Sequence, residues 1–370
     1  MVTQQETTAV EATPALVIDH QVVRENAERL AEYALEHRLG VRPHTKTHKS
    51  FRMAALQVSV GAIGLTTAKV GEAEVMVDVA DDVLIAYPAF DRHRVRRIAE
   101  LARRGTTVRV ALDSHEGVDA LHAAAREATA TVGVLVDLDV GFHRTGVQSP
   151  AAALELAQAI TRYRDGVRLD GLFFYPGHVW SPAAEQTAEL ESIDGLLAET
   201  IALWERSGLA APIVSGGSTP TAFQSHLVRS QTEIRPGTYL YNDMNTVQAG
   251  FCELDDCAAR IVSTVVSTAV PGKAVIDAGT KTLTSDRNVR VPGSGHGHVV
   301  EHPAAKIVRL SEEHGEIDVT ACERPPRLGE RITVIPNHIC PCVNLMDRGW
   351  LRHADGTLEP LPVDARGRLS

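Results

Sequence analysis

Between residues 41 and 241 the sequence carries eight short apolar runs, each separated from the next by a stretch with helical periodicity. The runs are VRPHTK (41–46), AIGLTTA (62–68), DVLIAYP (82–88), TVRVALD (107–113), VGVLVDLDV (132–140), VRLDGLFFYP (167–176), PIVSGGS (212–218) and EIRPGTYLY (233–241). Continuous β-branched runs are what strands buried on both faces look like, and helices between them imply parallel pairing. Eight such units over roughly 230 residues predict an α/β fold, a (β/α)8 TIM barrel. The rival, a doubly wound open sheet, would offer a glycine-rich fingerprint after its first strand, and none is present.

Ahead of the barrel, ALVID reads as a short strand, followed by Asp19 as helix cap and by Val23, Ala27, Leu30, Ala34 and Leu35 at helical spacing up to Gly40. Near residue 260 the character changes to β-branched strands punctuated by Gly, Pro and Asp: ARIVSTVVSTAV, KAVIDAG, HVVEH, AAKIVRLSEEHGEIDV and RITVIPNHICPCVNL. The expected division is a barrel over 18–255, an all-β C-terminal domain over 256–370 completed by the strand at 14–18, and a mobile tail over 1–13. A 44% hydrophobic fraction excludes disorder, and the absence of a long apolar run excludes a membrane span. The net charge of −10 argues against nucleic acid and anionic membrane as partners, but leaves room for a small anionic ligand. Five cysteines without a secretory signal suggest a reduced, cytoplasmic protein.

In such a barrel the chemistry sits where strands end. Those ends carry His44-Thr-Lys46-Thr-His48-Lys49, then Asp137, Asp139, His143 and Arg144, then Tyr175-Pro-Gly177-His178, then Ser215-Gly-Gly-Ser-Thr219, and finally Glu233, Arg235 and Gly237. Two glycines followed by hydroxyl residues make a backbone turn able to hold a phosphate, at the strands where barrels commonly hold one. A lysine at a strand end is a surface charge by default, but a desolvated one forms Schiff bases. Lysine and phosphate cup together suggest pyridoxal phosphate on Lys46, with Lys49 as the competing residue. Farther on, His338 and Cys340 stand two apart in a strand-like run, which would place imidazole and thiol on one face, either as buried packing or as a zinc pair, with Cys342 on the same face as third ligand or core. Cys252 and Cys257 lack zinc-knuckle spacing and read as structural. RHRVRR (92–97) reads as a solvated helix face, and SEEHGE (311–316) as a turn whose glutamates and His314 are within reach of a supporting role at the site.

The strings RPHTKTHK, VDLDVGFHRTGV, YPGH, SGGSTPT, EIRPGTYLYND, VIDAGTKTLTSD, SEEHG and PNHICP, in this order from about residue 14 to about 350, resemble the D-serine dehydratase and D-threonine aldolase family. These are pyridoxal-phosphate enzymes with the alanine-racemase-type fold. The resemblance implies that Lys46 carries the cofactor as an imine, that Arg144 lies near its ring, and that Gly217, Ser218, Thr219 and Gly237 hold its phosphate. It implies further that Tyr175 lines the site, that His338 and Cys340 bind a catalytic Zn2+ or another divalent metal, and that the protein is a homodimer. Arg235 matches the racemase position facing the pyridine nitrogen, where this family varies. Some members have Asp where this chain has Cys340.

The expected substrate is a small D-3-hydroxy amino acid. With the substrate imine acidifying the α-position, a lysine base and a metal on the β-hydroxyl, elimination of water gives a 2-keto acid and ammonia. The alternative is retro-aldol cleavage to glycine and an aldehyde, with His178 as base. An amino-acid racemase would not need the metal pair, and a non-catalytic pyridoxal-phosphate carrier would need neither metal nor second domain.

Overall fold

The computed structural model describes residues 10–370, so the first nine residues of the expected tail lie outside the described residues. Two compact units emerge. One comprises residues 28–46, 51–237 and 367–370; the other comprises the segment up to residue 27, residues 47–50 and residues 238–366. The boundary thus falls after Gly237 rather than near 255, and the segment Thr47–Ser50 belongs with the second unit.

The first unit is a parallel eight-stranded sheet whose strands run, in spatial order, Gly40–Val41, Glu233–Ile234, Ile213–Gly216, Val167–Phe173, Val132–Asp137, Thr107–Leu112, Asp82–Ile85 and Leu65–Thr67. The first and last of these meet: His44 bridges Thr66 in parallel, with Thr45 N–H on Thr66 O (2.8 Å) and Thr66 N–H on Pro43 O (2.9 Å). That closes the sheet into a barrel. The eighth run is shorter than expected. Arg235 N–H still reaches Gly216 O (2.9 Å), but Pro236 has no N–H to give, and residues 238–240 turn as a 3-10 helix.

Alternate residues of each strand face the outer helices: Val83 and Ile85, Val108 and Val110, Val134 and Val136 join the core with Val95, Ile98, Val118, Leu121, Leu156 and Leu197. Each such side chain contributes about 1.5–3 kcal/mol by leaving water. The helices start where the sequence supplies caps, Asp91, Ser114 and Ser149 each accepting an N–H of the first turn. The RHRVRR run opens the helix Arg92–Arg103, where Arg96 pairs with Glu127 and Arg97 with Glu74 on the solvent side.

The second unit is built on a nine-stranded sheet. Ala259–Ser267, Lys273–Ile276, Gly315–Asp318, Lys306–Leu310, His298–Val299 and Arg331–Ile335 form a closed antiparallel ring, because Ala259–Ser267 pairs with both of its neighbours. Ala15–Asp19 pairs antiparallel with Ala259–Ser267 on one side and parallel with Arg348–Arg352 on the other. The start of the chain is therefore part of this sheet. Residues 10–13 are held as well, since Val10 is buried, Arg331 donates to its carbonyl, and Thr13 Oγ1 donates to Asp277 (2.6 Å). The SEEHGE segment is a hairpin turn in which Glu312 and Glu313 pair with Lys281 (2.8 and 2.7 Å).

Candidate active site

Within the barrel unit, Lys46 follows the first strand. Its N–H contacts His44 Nδ1 (3.4 Å), its side chain is half-buried, and its ammonium has no hydrogen-bond or ion-pair partner among the described residues. The rival Lys49 is held differently. It is buried with left-handed backbone (φ 50°), belongs to the second unit, and its carbonyl accepts the N–H of Ala365 (2.9 Å).

The Ser215–Thr219 turn needs both of its glycines. A Cβ on Gly216 would stand 2.0 Å from the Phe174 ring, and Gly217 has φ +84°. Ser218 is buried, its N–H on Thr221 Oγ1 (3.1 Å), while Thr219 is half-buried. Gly217 and Gly237 are buried too, and neither donates its N–H to a described residue. Two buried N–H groups without a protein acceptor are what an anion site requires, so this turn fits a phosphate.

Arg144 lies 4.9 Å from the ring centres of both Phe142 and Tyr175, which meet edge-to-face. Its loop is pinned by Asp139, which accepts from Gly141 N–H, His143 N–H (both 3.0 Å) and His143 Nδ1 (2.7 Å). Burial works to raise the Asp139 carboxyl, but these donors hold it at about 2. Asp137 behaves oppositely: burial pushes it up to about 6 despite a bond from Thr145 Oγ1 (2.7 Å). His178 is exposed, rests against Gly141, and makes no hydrogen bond with a described residue.

Arg235 is buried, its guanidinium 3.8 Å from the centre of the Phe173 ring and donating to Ser215 Oγ and Phe174 O (both 2.7 Å). Burial pulls it down to about 10, so it stays charged at neutral pH. Behind it lies a charged chain that the sequence reading missed. Ser215 Oγ donates to Glu233 (2.6 Å), Glu233 accepts from Arg42 Nε (2.9 Å), and Arg42 also pairs with Asp82. Asp82 then pairs with Arg109 (2.6 Å), which pairs with Asp170 (2.7 Å). These groups come from different strands, and no local motif announces them. The available signal was the recurrence of one or two charges inside otherwise apolar barrel runs.

In the second unit His338 and Cys340 are neighbours around a helix start, and the strand expected to carry them is absent there. The strand ends at Ile335, His338 is the N-cap, and Cys340 lies in the first turn of the helix Ile339–Leu345. Pro336 ends the ladder, and Pro341 is tolerated in a first turn, where its missing N–H has no helical partner. The His338 ring is 40% exposed and 3.8 Å from Asp286 Oδ2. Burial opposes its protonation, but the Cys340 sulfur with Asp243 and Asp286 raises it to about 9. The Cys340 thiol donates to Thr47 Oγ1 (3.2 Å) and hydrogen-bonds Thr238 Oγ1 (3.5 Å). Among the described residues no group of three or more His, Cys, Asp or Glu is arranged to hold a metal. An imidazole and a thiolate together nevertheless suit zinc, and two ligands leave positions open.

Cys342 does not share a strand face with them. It is buried in the helix, and its thiol donates to His338 O (3.3 Å). Cys342→Ser should therefore keep full metal content, measured on the purified variant; metal loss would make Cys342 a third ligand. Cys257 is buried and Cys252 donates to Thr246 Oγ1 (3.3 Å), both built into the fold.

Residues 18–245 match the family described as alanine racemase, N-terminal domain, and residues 258–351 match a serine dehydratase domain. D-threo-3-hydroxyaspartate dehydratase of Delftia sp. (strain HT23) is 31% identical over 91% of this chain and 93% of that one. The chain belongs to the D-serine dehydratase and D-threonine aldolase family. It is an enzyme, a pyridoxal-phosphate-dependent lyase of alanine-racemase-like fold. D-threonine aldolase of Arthrobacter sp. is 30% identical over 96% of this chain and 93% of that one. The solved D-threonine aldolase from Filomicrobium marinum superposes with a TM-score of 0.89 at 32% identity, covering 97% of each chain. A variant of D-threo-3-hydroxyaspartate dehydratase has been solved in a metal-free form; it aligns with a TM-score of 0.87 at 27% identity over 98% of this chain and 99% of that one. No described helix is long and apolar enough to cross a membrane.

Proposed function

We propose that this lyase uses a divalent metal with pyridoxal phosphate to eliminate water from small D-3-hydroxy amino acids, giving a 2-keto acid and ammonia. The observation that carries the reading is the thiol of Cys340 beside His338, with the hydroxyls of Thr47 and Thr238 on its sulfur. When bound, pyridoxal phosphate would delocalise charge from the substrate Cα and a metal on His338 and Cys340 would lower the basicity of the β-oxygen.

The chain's own residues supply the rest. Lys46 Nζ, without a partner among the described residues, would anchor the cofactor and is the group placed to take the Cα proton. Gly217, Ser218, Thr219 and Gly237 hold the phosphate. Arg144 and Tyr175 would line the ring, and the buried Arg235 would supply fixed positive charge at its pyridine end. A thiolate donates more charge to a metal than a carboxylate does, which favours departure of the hydroxyl over its deprotonation. The proposed setting is a cytoplasmic homodimer whose partner is this small substrate alone.

Retro-aldol cleavage is the second reading, favoured by one observation: His178 is exposed and makes no hydrogen bond among the described residues, available as a base for the hydroxyl proton. The relatives divide between the two reactions at 31% and 30% identity, so overall likeness does not choose. The test of the metal-dependent elimination is D-serine offered to metal-loaded and chelator-stripped enzyme. Loaded enzyme should release pyruvate and ammonia from D-serine and not from L-serine. Stripping should abolish turnover while the cofactor's visible absorbance persists; full turnover without metal would sink the reading.

A further inference from the structure

We infer that Asp243 is a positioning residue for the metal, fixing the turn on which His338 and Cys340 stand. The inference rests on the metal reading above. Asp243 is 1% exposed, and its two carboxylate oxygens accept two backbone N–H groups from different helices. Oδ1 takes Thr246 N–H (3.1 Å), capping Met244–Gln248, and Oδ2 takes Ile339 N–H (3.1 Å).

Ile339 lies between the two ligands. His338 occupies the N-cap position of its helix yet makes no side-chain capping bond, so the first N–H of that helix depends on Asp243. The same segment is held alongside by Met244 N–H on Pro336 O (3.0 Å) and Asn245 N–H on Asn337 O (3.2 Å). Residues 243–245 therefore run along 336–339 as a splint, and the carboxylate is its last rung before the ligands. Ile339 is fully buried, so losing this acceptor leaves an N–H unpaired in the interior and frees the turn to shift. Groups that orient metal ligands in this way are worth about 10–100-fold in metal affinity.

The two jobs of the carboxylate can be separated. Asparagine offers one acceptor oxygen and cannot serve both N–H groups. Thr246→Val, in contrast, removes the hydroxyl that bonds Asp243 N (2.9 Å) and Asp243 O (2.7 Å), leaving the Ile339 bond in place. The experiment titrates Zn2+ and Co2+ into the metal-stripped, cofactor-loaded enzyme, reading affinity and the thiolate-to-cobalt absorption band. Asp243→Asn should bind roughly 10–100-fold more weakly with a weakened band and unchanged cofactor absorbance. Thr246→Val should lose thermal stability but keep affinity and band. If Asp243→Asn is recovered unfolded, Asp243→Ser, which keeps a cap for Thr246, carries the same expectation. Affinity within twofold of the parent in the folded Asp243 variant would overturn the inference. A parent enzyme that binds neither ion would overturn the metal reading itself.

Discussion

Replacing Lys46 with alanine should lower kcat on a D-3-hydroxy amino acid by at least about 10³–10⁴-fold, the upper part of the range for loss of a positioned proton-transfer group. The substitution also removes the covalent anchor. The fold should survive, because Lys46 lies half-buried in a turn beyond its strand and its ammonium bonds to no described residue, so truncation leaves no group unpaired. Borohydride reduction of the parent enzyme followed by peptide mapping should place the cofactor on Lys46. Label on Lys49 instead would contradict the assignment; that residue is buried and belongs to the other compact unit.

Arg42→Met should cost about 3–5 kcal/mol of stability, the range for breaking a buried ion pair from one side. The Arg42 and Glu233 side chains are only 3% and 4% exposed, so neither loss is repaired by water. Removing Arg42 leaves Glu233 with Ser215 as its remaining side-chain donor and Asp82 with Arg109. Arg42→Lys should rescue little, because Arg42 reaches Glu233 through Nε and Asp82 through Nη1, two directions that one ammonium cannot reproduce. Urea unfolding at pH 7 measures both. A loss under about 1 kcal/mol for Arg42→Met would mean that the barrel floor behaves as a solvated surface. Since Glu233 holds Ser215 and Ser215 holds Arg235, the variant should also disturb the pyridine end of the cofactor site.

The barrel was legible because its strands are buried on both faces, which leaves β-branched runs such as VGVLVD and TVRVAL where an exposed sheet would alternate. Seven of the eight runs contain the strand observed, and the first overlaps its strand, Gly40–Val41, at Val41 alone. The chain of Arg42, Asp82, Arg109 and Asp170 was not legible: each run holds only one or two charges, and pairing across strands has no signature within any of them. Around His338 and Cys340, the proposed metal pair, the backbone was not readable. ITVIPNHICPCV continues the β-branched pattern, but Pro336 and Pro341 bracket a turn and a helix start, so His338 and Cys340 are related through a cap rather than a pleat. Asp243 escaped notice because its importance depends on where Ile339 lies, almost a hundred residues away in the chain.

D-threonine tests the central claim most directly, because the two bond-breaking routes give products with no overlap. Elimination yields 2-oxobutyrate and ammonia; retro-aldol cleavage yields glycine and acetaldehyde. With metal-loaded enzyme and all four products quantified, the account predicts 2-oxobutyrate and ammonia in equal amounts and only traces of glycine. Glycine and acetaldehyde as the main products would contradict it, and would assign the exposed His178 the role of base in an aldolase.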